Sequence, residues 1–78
     1  MIETFYIVVN RHSLSKSATN MQYFSKFFNR LENAKRFATI ENKTENTWGV
    51  VAIYGLIDLI DDDYILNALL TLSKKDLL

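Results

Sequence analysis

Three sets of side chains in this 78-residue chain are of types that do chemistry. His12 stands among Ser13, Ser15 and Ser17, which sets an imidazole base beside hydroxyl nucleophiles. Nucleophilic catalysis also needs an orienting acid and oxyanion donors on a rigid scaffold, and an aperiodic polar tract supplies neither. Asp61, Asp62 and Asp63 offer consecutive carboxylates to a cation. Calcium loops, however, space their ligands along a twelve-residue turn, with glycine at six and glutamate at twelve. Neither follows here, so the triplet reads as the N-cap and first turn of a helix, where the dipole favours acids. The third set is Tyr23, Phe24, Lys26, Phe27, Phe28 and Arg30, which interleaves rings with cations. That pattern suits stacking on unpaired bases beside phosphate contacts, with Tyr23 and Phe24 as the candidate stacking rings. It equally suits the core of a small domain.

The remaining composition excludes more than it suggests. With no cysteine, the chain is not a disulfide scaffold, a zinc finger or a thiol enzyme. With Gly49 and Gly55 as its only glycines, it has no phosphate-cradling loop. We therefore expect no enzymatic activity, no cofactor and no metal. What is left is binding, for which Lys26, Arg30, Lys35 and Arg36 are the candidate partner contacts. Net charge is zero but sorted: positions 1–45 carry seven basic residues against four acids, a net +3, and positions 46–78 carry two against five, a net −3. Such asymmetry can give one basic and one acidic face.

The elements that would position these residues follow from periodicity. Residues 3–10 form a short, β-branched and aromatic run, a strand covered on much of both faces. Residues 11–20 are a polar loop. Residues 21–41 read in two ways. Taken whole, they make one long amphipathic helix. Taken in two, residues 21–28 are an aromatic strand and residues 29–41 a helix, with Asn29 as N-cap and Glu32 at capping-box spacing. The second reading is preferred, because without that strand the sheet has only two members and is marginal. Glu32 also stands at i, i+4 to Arg36, in the favourable order for a helix ion pair. Residues 42–46 are a polar turn, and residues 47–55 are the surest strand, central and bent or bulged at Gly55. Residues 64–75 are a second helix with acids before it and Lys74 and Lys75 at its end. Its apolar face is wide enough that Ile65, Leu69 and Leu72 are candidates for a homodimer contact.

The chain is thus expected to be a single α+β domain over residues 1–78, of order β-β-α-β-α with helices on an antiparallel sheet. The fallback is β-α-β-α with one long central helix. The acid at Glu3, where a signal peptide would carry base, and an apolar stretch too short to span a bilayer point to a cytoplasmic protein without membrane contact.

The run Phe28-Asn29-Arg30-Leu31-Glu32-Asn33-Ala34-Lys35-Arg36-Phe37-Ala38, with Tyr6-Ile7-Val8-Val9 before it and Gly49-Val50-Val51-Ala52-Ile53-Tyr54 after it, resembles small bacteriophage and prophage proteins with a strand–strand–helix–strand core. Some small anti-CRISPR proteins and other anti-defence inhibitors are similar in build. The resemblance covers roughly residues 5–55 and assigns no functional residue. It implies an accessory inhibitor that binds and blocks a host protein or ribonucleoprotein complex in the host cytoplasm. The alternatives are a small RNA- or single-stranded-DNA-binding domain and a homodimeric structural subunit.

Overall fold

The computed structural model describes residues 2–14 and 20–78. Two strands, β1 (Glu3–Asn10) and β2 (Trp48–Gly55), pair antiparallel from Glu3↔Gly55 to Asn10↔Trp48 without a break. Helix α1 (Leu31–Glu41) joins them, and α2 (Asp62–Leu70) follows β2. Single 3-10 turns occupy Ile57–Leu59 and Lys74–Asp76. The chain is an α+β fold.

Alternation along the strands divides the core into two layers. Ile7, Val9, Val51 and Ile53 point to one face and pack against Ile65 and Leu69 of α2, with Leu14 beside them. Val8 and Val50 point to the other and pack against Ala34 and Ala38 of α1. A strand with both faces covered has no polar alternation, and this is why both strands read as nearly continuous apolar runs. The two alanines let α1 lie close to the sheet. A cluster of Phe24, Phe28, Phe37 and Trp48 fills the wedge beside them, with ring centroids 4.5–5.4 Å apart.

Several details depart from the sequence reading. Residues 21–28 are neither helix nor strand. They lie along the outer edge of β1, touching it through isolated bridges at Tyr6↔Phe28 and Val9↔Tyr23. Between those bridges five steps on this segment answer three on β1, so two residues have no opposite number and the ladder breaks. Four backbone bonds still cover the edge: Tyr6 N–H to Phe28 O, Phe28 N–H to Tyr6 O, Phe24 N–H to Val8 O and Asn10 N–H to Gln22 O, all 2.8–3.0 Å. The inner strand is therefore β1, not β2. The strands and α-helices thus follow the fallback order β-α-β-α and not β-β-α-β-α, but the central helix covers Leu31–Glu41 and not all of residues 21–41.

Helix α1 starts at Leu31, with Arg30 in the N-cap position and no side-chain cap. Glu32 pairs with Arg30 at 3.6 Å instead of closing a capping box on Asn29 or meeting Arg36. Helix α2 begins earlier and ends sooner than expected. Asp61 caps it by accepting from Tyr64 N–H at 2.8 Å, and Asp62 and Asp63 form its first turn. Thr71 ends it, its hydroxyl donating to Ala68 O at 2.7 Å, and Ser73 with Asp76 then builds a capping box for the next turn. Lys74 and Lys75 accordingly belong to that turn and not to the end of α2. Gly55 causes no bulge. It is the last residue of β2, and Tyr64 lies so close over it that an added Cβ would stand 2.9 Å from the ring carbon Cζ.

Candidate functional site

Of the imidazole and serine set, His12 and Ser13 border one open recess, but the Ser13 hydroxyl is committed to the backbone. Ser13 is buried, its hydroxyl donating to Asn10 O at 2.8 Å and accepting from Gln22 N–H at 3.1 Å. It ties the loop after β1 to residues 21–28, while His12 faces solvent. Ser15 and Ser17 lie outside the described residues. Among the described residues no cluster of three acids or histidines is arranged to hold a metal ion, and no helix is long and apolar enough to cross a membrane.

The rings proposed for base stacking are occupied. Phe24 meets Phe37 edge-on at 5.0 Å and Trp48 at 4.5 Å. Tyr23 packs on the α2 layer, and its hydroxyl donates to Asp62 Oδ1 at 3.5 Å. Ser25 donates to the same oxygen at 3.3 Å, so Asp62 fastens residues 21–28 to α2. Burial, then the Asp62 and Asp63 carboxylates, raise the Tyr23 hydroxyl above its ordinary pKa. An acid-lined phenol is a poor neighbour for a phosphate chain.

The candidate dimer contact is also consumed internally. Ile65 and Leu69 are fully buried against the sheet and Leu72 packs on the same layer. A two-stranded sheet exposes two apolar faces, and among the described residues α2 is the helix that covers one of them. Tyr54, Leu56 and Leu59 stand exposed instead, lining an apolar recess with Tyr64 at the open end of the sheet.

The four basic candidates remain exposed. Lys26 is brought into the aromatic cluster, its ammonium 5.3 Å from the centroids of both Phe28 and Phe37, a cation–π geometry. Arg30 stands at the start of α1 and Arg36 further along its outer side. Lys35 is 100° around the helix from Arg36 and turns toward the edge of β2. There it lines a recess of about 280 Å³ with Arg11, Asn42, Asn46, Trp48 and Leu78.

That recess was invisible to sequence reasoning, and Asn42 organises it. Its amide donates to Trp48 O at 2.9 Å and to Asn46 Oδ1 at 3.4 Å, and its oxygen accepts from Thr47 N–H at 3.0 Å and Trp48 N–H at 2.7 Å. One side chain thereby joins the end of α1 to the start of β2. Arg11 lies over Gly49 and reaches Trp48 O with Nη2 at 3.5 Å, while its Nε is buried without a partner. An asparagine just past a helix is a legible cap signal. Nothing in the sequence says that Arg11 and Lys35 meet beside it.

Comparison of the chain with protein-family models, with characterised proteins and with solved structures finds no match.

Proposed function

We propose that the chain is a non-catalytic binding protein that covers a surface of an acidic macromolecular partner with the cationic face around α1. One observation carries this reading: charge is sorted across the sheet. Between positions 26 and 36 four cations meet a single acid, on the α1 side. Between positions 58 and 63 four aspartates meet no cation, on the α2 side. Helices α1 and α2 pack on opposite faces of the sheet, so the two groups favour different directions of approach for a charged partner, which steers encounter and orientation. Lys26 over two rings and the exposed Arg30 and Arg36 are the kinds of anchor that dominate interface energetics. The resemblance to small phage accessory proteins adds the nature of the partner: a host factor, and foremost a defence complex, that is blocked by occupation.

The test is capture from bacterial lysate on the immobilised chain, with and without nuclease, against an Arg30→Glu/Arg36→Glu double variant. Both positions are exposed and neither packs in the core, so the variant keeps its fold. A captured protein that survives nuclease, weakens steeply with added salt and is lost in the variant is the expected result. Capture unaffected by the reversal overturns the reading, and capture abolished by nuclease reassigns the partner as nucleic acid.

A further inference from the structure

We propose that the recess between α1 and the outer edge of β2 is a binding site for a doubly charged oxyanion of the phosphate class. Two cations line it, Arg11 and Lys35, and no acidic side chain does. Neither is in an ion pair among the described residues, where the only one is Arg30–Glu32. Arg11 is incompletely satisfied: Nε is buried with no partner, and the single bond from Nη2 is at the outer limit of hydrogen-bond length. A buried N–H left unpaired in a folded protein requires an explanation, and an anion-binding role is one. A small rotation of the guanidinium presents Nε and a terminal nitrogen as a fork, the arrangement that grips an oxyanion with two parallel bonds.

The other polar groups of the recess favour the same ligand. Asn42 is fully engaged in holding the backbone, so it fixes the walls and competes for nothing. Asn46 accepts through its oxygen, and its amide nitrogen remains a donor. The side chains of the lining thus offer two cations and a neutral donor, which suit an oxyanion. Leu78 closes the outer end, its N–H donating to Val50 O at 2.8 Å. The site shares Lys35 with the proposed partner face but not Arg30 or Arg36, so the Arg30→Glu/Arg36→Glu variant tests that reading without altering this recess.

Trp48 is the chain's only tryptophan and lines the recess, so its emission reports occupancy. Titration of the whole chain with inorganic phosphate should give a saturable change, with acetate about tenfold weaker and chloride at matched ionic strength giving none. Arg11→Met and Lys35→Gln should each weaken phosphate about tenfold or more, the loss expected for one charge-assisted contact. Lys35 is exposed, so Lys35→Gln decides the matter if Arg11→Met does not fold. A sugar phosphate binding more tightly than the free ion would assign the site to a phosphorylated small molecule; equal affinity would assign it to the ion. A phosphate response no different from chloride, or wild-type affinity in Lys35→Gln, overturns the proposal.

Discussion

Asn42 should be the most sensitive polar residue in the protein, because it replaces a missing stretch of backbone pairing. Three of its side-chain bonds hold backbone groups of Thr47 and Trp48, at 2.7–3.0 Å and partly buried. Each such bond contributes about 0.5–1.5 kcal/mol net, and removing the side chain leaves its backbone partners short of one. The three act as a unit, and Trp48 O keeps its long contact with Arg11, so simple addition overstates the loss. Asn42→Ala should therefore cost about 2–3 kcal/mol. In a domain of this size each kcal/mol lowers Tm by roughly 4–8 °C, so the melting midpoint should fall by about 10–20 °C. Asn46→Ala removes only the 3.4 Å amide contact and should cost less than about 0.5 kcal/mol. The assay is thermal unfolding followed by far-UV circular dichroism, with urea unfolding to check that the slope is unchanged. A fall of less than about 3 °C in Asn42→Ala, or equal falls in the two variants, would refute the reasoning.

Leu69→Ala should cost about 3–4 kcal/mol and abolish cooperative unfolding, since Leu69 is fully buried and a core this small supplies roughly 3–5 kcal/mol in all. Had Leu69 been an intersubunit contact, sedimentation would change and the monomer's Tm would not. Gly55→Ala should destabilise by about 1–2 kcal/mol, because the rigid Tyr64 ring must move and give up its bond to Tyr54 O, while Gly49→Ala meets chiefly the flexible end of Leu77 and should be milder. Chemical denaturation of the pair checks the order, and a costlier Gly49→Ala would contradict it. The Tyr23 hydroxyl, raised by burial and by the Asp62 and Asp63 carboxylates, stays protonated in the fold where the unfolded chain has begun to ionise. Its contribution is therefore complete below the ordinary tyrosine range near pH 10 and is lost as pH rises above it. Asp62→Asn should bring phenolate absorbance in at lower pH, read as a difference against Tyr23→Phe, and an unmoved titration would rule out the carboxylate's part.

The sequence was most informative where local pattern and tertiary environment agree. The unbroken β-branched runs at Glu3–Asn10 and Trp48–Gly55 are strands because both faces of each are covered, and that condition is written in the residues themselves. The aspartate triplet is a helix start for reasons local to three residues. Failure came where the outcome depends on a count of residues between two distant contacts. Residues 21–28 carry strand composition, but two surplus residues between the Tyr23 and Phe28 bridges interrupt the ladder, and composition does not record register. The end of α2 at Thr71 was hidden because Leu70 and Leu72 continue an apolar pattern past the point where a hydroxyl takes the backbone bond. Arg11 and Lys35 are neighbours only because β1 ends beside the start of β2 while α1 crosses above that corner.

The same geometry supports the binding role proposed for this chain. Among the described residues one α-helix covers each face of the two-strand sheet, so Ile65, Leu69, Ala34 and Ala38 are already engaged in the core. The bonded side chains of Ser13, Asn42 and Asp61 are spent on the loop after β1, the passage from α1 to β2 and the start of α2. What remains free of structural duty is the outward surface of α1 and its shoulders. Arg30, Arg36 and Lys35 can be exchanged there without touching the core. A domain whose Arg30, Lys35 and Arg36 lie outside its core can change its partner at those positions without losing its fold. Charge reversal at those positions should therefore move affinity while Tm stays within about 2–3 °C, the shift that an exposed substitution of up to about 0.5 kcal/mol allows.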